Sequence, residues 1–171
     1  MDIEIKFVDS EEDYQKCLAI RRKVFIEGMN VSEQHEIDAY EKKSHHFLAL
    51  YDDIPASTGR YRLKKGFAKF ERIATLSEFR GKGIASQLMQ VMQADAQKRY
   101  PDYLPAMHAQ VTAVPFYLKL GWVIIGDIFI EADIEHQVMV LLPKDLSNLK
   151  CLTDPQTPKP ILDYLNKLIT S

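Results

Sequence analysis

Residues 70–92 read FERIATLSEFRGKGIASQLMQVM. Strand-like alternation at the start gives way to a short connection, a glycine-rich turn and then a helix. From Ile84 to Arg99 the apolar residues Ile84, Ala85, Leu88, Met89, Val91, Met92 and Ala96 keep helical spacing, and Pro101 stops further extension. Gly81 and Gly83 allow the backbone to approach a ligand closely. The first amides of the following helix lack intrahelical acceptors, and the positive end of the dipole lies behind them. Such a turn suits a pyrophosphate, and Arg80 and Lys82 add positive charge at its mouth.

Upstream, His46–Tyr51, Thr58–Leu63 and Phe67–Leu76 read as three consecutive strands, divided by the turn signals Asp52-Asp53-Ile54-Pro55 and Lys64-Lys65-Gly66. An antiparallel meander is expected. Ile3, Ile5 and Phe7 alternate as a first strand, Ser10 caps a helix, and that helix is expected from Glu11 to Phe25. The polar run EGMNVSEQHEIDAYEKKS, Glu27 to Ser44, predicts a loop with a short helix. Downstream, Ala106–Val111 reads as a strand and Val114–Leu120 as a short helix closed by Gly121; Trp122–Ile125 and Val138–Leu142 read as two more strands. After Pro143 a proline-bearing connector leads to ILDYLNKLIT, apolar at helical spacing. The fold class is mixed α/β: a domain over residues 1–142, with residues 143–171 a connector and a helix docked on it.

Three phosphate-binding patterns compete for the turn. A Walker loop needs GxxxxGK followed by Ser or Thr, and that string is absent. The dinucleotide fingerprint GxGxxG would need glycine where Ser86 stands, directly after a strand of a parallel sheet. What remains is Arg80-x-x-Gly83-x-Ala85, and on this hexapeptide alone an ordinary glycine turn capping a helix explains it equally well. Further on stands Phe116-Tyr117-Leu118-Lys119-Leu120-Gly121-Trp122. Taken together, the two segments resemble the R/Q-x-x-G-x-G/A and FYxKxGF/W motifs of the GNAT N-acetyltransferase superfamily. HFLALYD, FERIATL, HAQVTAVPFYLKLGW and HQVMVLLP resemble its bacterial ElaA-like subgroup, over roughly residues 1–142. Where that subgroup tends to have Glu-Gln-Gly after the first helix, this chain has Gly28-Met29-Asn30, which leaves the acceptor specificity open.

The resemblance implies a GNAT-like fold, a central mostly antiparallel mixed sheet flanked by helices, and acetyl-CoA as co-substrate. It implies that Arg80, Gly81, Lys82, Gly83, Ile84, Ala85 and Ser86 hold the CoA pyrophosphate, and that Ile73, Ala74, Thr75 and Leu76 pair with the pantetheine arm, where a backbone amide can stabilise the oxyanion. It also matches Tyr117 to the tyrosine facing the CoA sulfur, a general acid for the departing thiolate; the alternative is a half-buried aromatic with a backbone partner. Period-two alternation puts Glu71 on one face with Ile73 and Thr75. A carboxylate among apolar neighbours suits a general base, whereas Arg72, Lys69 or Arg62 can pair with it as a structural ion bridge.

A formal charge of -2 and a sequence pI near 6.2 offer no broad basic field, so nucleic acid and anionic membrane are not expected partners. Cys17 and Cys151 make neither a disulfide framework nor a metal knuckle, and His45, His46 and His108 lack metal-site spacing, so no metal is assigned. No signal peptide or membrane span is read, which points to a cytoplasmic protein. The leading expectation is an acyltransferase moving acetyl to a primary amine of a small molecule. A non-catalytic acyl-CoA sensor and a protein amino-group acetyltransferase are the alternatives. Glu33, Glu36, Asp38 and Glu41 would attract a cationic amine or form a solvated charged loop. The terminal helix can pack on its own domain or on a second copy, so a homodimer stays open.

Overall fold

A computed structural model describes residues 2–171, apart from the side chains of residues 34 and 35. In chain order the elements are β1 (Ile3–Phe7), α1 (Glu11–Arg21), α2 (Glu33–Glu36), β2 (His45–Tyr51), β3 (Ile54–Lys64), β4 (Phe67–Thr75), α3 (Ile84–Arg99), β5 (Leu104–Gln110), α4 (Val114–Lys119), β6 (Val123–Glu131), β7 (Ile134–Val140) and α5 (Lys159–Ile169). The strands follow the hydrogen-bonded order β1-β2-β3-β4-β5-β7-β6. β4 and β5 run parallel, while β1 with β2, β2 with β3, β5 with β7 and β6 with β7 run antiparallel. Contacts divide the chain into two compact units, Met1–Arg62 with Glu71–Ala94, and Leu63–Phe70 with Asp95–Ser171.

In the first unit α1 starts where Ser10 caps it, the Oγ accepting from the Asp13 amide at 3.2 Å. Cys17 and Ile20 pack against Leu48, Leu50 and Ala74, and each large apolar side chain so buried contributes about 1.5–3 kcal/mol. On the other face α3 comes so close that a methyl added at Gly59 would fall 2.8 Å from Met92 Sδ and 3.2 Å from Ile73 Cγ1. The first helix does not run as α-helix to Phe25. It widens into a π-turn over Arg22–Glu27, closed by the Gly28 amide donating to Lys23 O at 3.0 Å. A Cβ at position 28 would lie 2.7 Å from Val24 O, so the glycine that departs from the Glu-Gln-Gly pattern fits the tight closure of this helix.

Two strand boundaries differ from expectation for the same reason. Asp52 and Asp53 alone make the β2–β3 turn, with φ of 47° and 68°, as a two-residue hairpin of this hand requires. Ile54 and Pro55 therefore belong to β3. The register slips between Ala49↔Ser57 and Leu50↔Pro55, a bulge that tolerates a residue with no amide to donate. Likewise β6 and β7 are longer than Trp122–Ile125 and Val138–Leu142 suggest, joined by Ala132 and Asp133 at φ of 52° and 62°. Gly126 and Asp127 fall in a break of register between Ile125 and Phe129.

In the second unit Ile161 and Leu165 of α5 join Leu104, Ile125, Val140, Leu149 and Cys151 in one core, so the terminal helix docks on β5, β6 and β7. Phe70 meets Trp122 edge-on at 5.2 Å, and Trp122 in turn meets Tyr117 at 6.5 Å.

Candidate active site

The glycine turn lies in the first unit, between a 3₁₀ turn at Ser77–Phe79 and the start of α3. Gly81 and Gly83 have φ of +77° and +78°, a conformation that costs other residues roughly 1–2 kcal/mol. Around both, the space where a Cβ would stand is empty to 4 Å. The Gln87 amide takes the Gly83 carbonyl at 3.2 Å, so the amides of Ile84, Ala85 and Ser86 precede any intrahelical acceptor. Arg80 and Lys82 are exposed, with Lys82 Nζ 5.6 Å from the centroid of the Tyr51 ring. Open space over two glycines, beside helix amides without intrahelical acceptors and two exposed cations, fits a phosphate-bearing group.

β4 leads into this turn. Its parallel ladder with β5 runs from Phe67↔Leu104 to Phe70↔Met107, and Arg72 then takes φ of +57°, an uncommon value for a non-glycine residue within a strand. The turned backbone breaks the alternation expected of this strand. Glu71 points to Arg60 and Arg62, whereas Ile73 packs beside Gly59 on the α3 face, so the two do not share a side. Ala74 is buried, and its carbonyl accepts from Ser57 Oγ at 2.9 Å. The Ser57 hydroxyl also meets Thr75 Oγ1 at 2.8 Å, and the Leu76 amide donates to Ala56 O at 2.9 Å.

Glu71 belongs to a buried cluster that sequence reasoning missed. Its Oε2 accepts from Arg60 Nη2 at 2.7 Å and from Arg62 Nε at 3.1 Å, and its Oε1 from Arg62 Nη2 at 3.2 Å. Of the pairings named beforehand, Arg62 is realised. Arg60 Nη1 reaches Glu41 and Nη2 reaches Asp38, both at 2.7 Å; Arg21 binds Glu36 and Glu41, also at 2.7 Å; Arg72 bonds Glu36 and Asp38. Arg62 also stacks on Tyr40, 3.8 Å from the ring centroid. Burial alone would raise the Glu41 carboxyl, but Arg21 and Arg60 outweigh it and hold it well below the usual carboxylate range. Burial and then the Glu41 charge push the Tyr14 phenol up to about 12, and burial lowers the His46 imidazole. Glu36, Asp38 and Glu41 are therefore matched by arginines and offer no free negative field, whereas Glu33 pairs with Arg22 at 2.8 Å with both side chains about half exposed, as in a solvated charged loop. The signal is Gly59-Arg60-Tyr61-Arg62, two arginines at period two on one side of a strand, which need carboxylates once they are buried.

Tyr117 lies in the second unit, on α4, a helix that begins at Val114 with Pro115 in its first turn, where proline's missing amide does no harm. It is 7% exposed, and burial pushes its phenol well above 10. Among the described residues no group of three or more His, Cys, Asp or Glu side chains could hold a metal, and no helix is long and apolar enough to cross a membrane. A family model described as an acetyltransferase (GNAT) domain matches residues 8–143. The chain belongs to the GNAT acetyltransferase family. This GNAT chain is 37% identical over 150 residues to YyaT of Bacillus subtilis, covering 84% of this chain and 96% of that one. It is 32% identical to the N-acetyltransferase YjcF of the same organism, with 77% and 94% covered. In fold it is similar to Escherichia coli ElaA, with TM-score 0.73, 20% identity and coverage of 83% and 100%. Membership makes it an acyltransferase drawing on a CoA thioester donor.

Proposed function

We propose that this chain transfers an acetyl group from acetyl-CoA to a primary amine of a small molecule, in a reducing, cytoplasmic setting. The observation that carries the proposal is the open turn at Gly81 and Gly83, both at positive φ ahead of the 16-residue α3, in a chain of the GNAT family. Residues 1–142 act as the acyltransferase domain, and residues 143–171 as an appended connector and helix. Arg80 to Ser86 would hold the pyrophosphate by backbone amides and cationic side chains, and Ile73 to Leu76 would offer the backbone to the pantetheine arm. When bound, acyl-CoA supplies an activated carbonyl and a thiolate leaving group.

The chain's own contribution is charge and proton management. Tyr117 keeps its proton in the resting protein, because burial raises its phenol. That proton is the one assigned to the leaving sulfur. A thiol ordinarily has a pKa of about 8.5, so the transfer requires the thiolate to be as poorly solvated as the phenol. Glu71 is assigned to the amine's proton. Both its oxygens already accept from guanidinium groups, so an incoming proton has to displace a charge-assisted bond.

A panel of amines assayed with acetyl-CoA for free thiol tests the reaction: turnover with small primary amines is expected, and thiol release with none of them would favour the sensor. Tyr117→Phe keeps the ring and removes the proton. Its kcat should fall by about 10²-fold or more with little change in the acetyl-CoA dissociation constant, as for a group that acts only in the transition state. Undiminished kcat where chemistry limits turnover would make Tyr117 a packing residue.

A further inference from the structure

A concavity of about 460 Å³ lies wholly within the second unit, at the small end of the range for ligand-binding pockets. Strand register explains its floor. Lys69 pairs with Ala106 and Ala106 with Val140, while His108 pairs with Val138 and Val138 with Ile125. Phe67, Ala106, Ile125 and Val138 therefore stand on one face of β4, β5, β6 and β7, and the small Ala106 side chain helps leave the depth. Pro158, Pro160 and Ile161 form a wall at the start of α5, in a segment beyond the matched residues 8–143. The Phe67 ring and the two proline rings offer flat apolar faces to a ligand ring.

This enclosure has little to offer an ion. The prolines of the wall carry no amide hydrogen, and the Ile161 amide is spent on Pro158 O at 3.1 Å. Lys64, Lys65 and Asp127 are exposed, so water and salt screen them. The Glu131 carboxyl is held low first by its hydrogen bond from His108, and the Lys69 charge acts on it too, so Lys69 is already engaged. One polar group of the lining is held in a fixed orientation instead. His108 Nδ1 lies 3.0 Å from Glu131 Oε2, and the ring stands edge-on to Phe129 at 5.1 Å. An ionised carboxylate only accepts, so Nδ1 carries the hydrogen and, in the neutral ring, Nε2 is the acceptor that a ligand can meet. An apolar enclosure with one oriented acceptor suits an uncharged ring that brings a hydrogen-bond donor.

We infer that this cavity is a ligand site of the second unit's own, and that it takes a small, uncharged aromatic molecule whose hydroxyl donates to His108. The site draws nothing from the glycine turn or from acyl transfer. 4-Ethylphenol, 4-ethylanisole and 4-ethylbenzoate share one body: the first donates a hydrogen bond, the second can only accept one, and the third is an anion. Titrating the full chain with each and following the backbone amide chemical shifts reports affinity and location together. 4-Ethylphenol should bind about 5-fold more tightly than 4-ethylanisole, the size of one net hydrogen bond, and should move the amides of Ala106, His108, Ile125 and Val138. His108→Phe keeps an aromatic ring beside Phe129 and removes the acceptor, so that preference should fall to about 2-fold or less while 4-ethylanisole binds as before. Glu131→Gln removes the charge that fixes the hydrogen on Nδ1, and should reduce the preference without abolishing binding. Ala106→Phe should weaken the phenol and the anisole alike by filling the floor, with thermal melting confirming that each variant is folded; should it not fold, His108→Phe decides alone. Equal binding of phenol and anisole by the parent overturns the inference, and so do a preference that survives His108→Phe, shifts confined to residues outside the cavity, or no saturable shift at all. Tighter binding of 4-ethylbenzoate than of 4-ethylphenol overturns it as well, because the lysines and not His108 would then select the ligand.

Discussion

The cluster around Arg60 and the turn at residues 80–83 lie in one compact unit and use charge in opposite ways. In the cluster, Arg21, Arg60, Arg62 and Arg72 meet Glu36, Asp38, Glu41 and Glu71, with Arg60 buried completely. In the turn, Arg80, Gly81, Lys82 and Gly83 are all exposed, and the space over the glycines is empty. A closed arrangement of paired charges ties the loop before β2 to the strands. An open one, with exposed cations and free space beside it, is what a ligand can use. The contrast separates charges matched to one another from charges left open to a ligand, although arginine stands in both regions.

The largest expected effect comes from opening the closed region. Arg60→Met removes the guanidinium that Asp38, Glu41 and Glu71 share, leaving three carboxylates close together in a buried site. Breaking such a buried pair costs about 3–5 kcal/mol, so the urea midpoint should fall sharply. A midpoint equal to the parent's would mean that the cluster contributes nothing to stability. Gly83→Val strikes the open region instead. Its φ of +78° strains a β-branched residue by about 1–2 kcal/mol, while the dissociation constant for acetyl-CoA should rise about tenfold or more. A folded Gly83→Val that binds as the parent does would remove the phosphate-loop assignment and with it the contrast.

Acid should act on the closed region in two steps. The His46 imidazole is lowered in the folded state by burial, so the unfolded chain takes up a proton first and stability declines below about pH 6.5. The Glu41 carboxyl is also lowered, despite its burial, by Arg21 and Arg60. Its contribution is present above its ordinary value of 4.5 and is lost as pH falls from there toward the folded-state value. Urea midpoints measured from pH 8 to pH 3 should therefore slope downward twice, and Glu41→Gln should flatten the lower slope. The smallest effect is expected at Lys159, whose 2.7 Å pair with Asp163 leaves both side chains mostly in water. Lys159→Ala should leave the urea midpoint within experimental error, and a shift as large as that of Arg60→Met would show that exposure is a poor guide to what these pairs contribute.

Legibility in the sequence followed the range of the interaction involved. α3 runs over Ile84–Arg99, the span set by its apolar period and by Pro101, and the β3–β4 turn lies where Lys65-Gly66 announces it. The β6–β7 hairpin was not legible, because Ala132-Asp133 is an unremarkable dipeptide while the glycine upstream marks a break in register. Glu71 shows the same limit inside the site. Its strand was readable, but its parting from Ile73 onto opposite sides depends on Arg72 taking φ of +57°, which no local pattern announces.

The sequence by itself determined the family, the glycine turn and the aromatic segment around Tyr117, because each is a local arrangement whose residues are consecutive or one helical turn apart. Only the tertiary structure decided that Glu71 is shared by Arg60 and Arg62, that the loop acids are matched by arginines, and that Lys69, Ala106, Val138 and Ile125 line one concavity. Those partners stand between 9 and 36 residues apart in the cluster, and strand register brings the cavity residues together. A charge read in sequence carries its sign but not its partner, and only the fold supplies the partner.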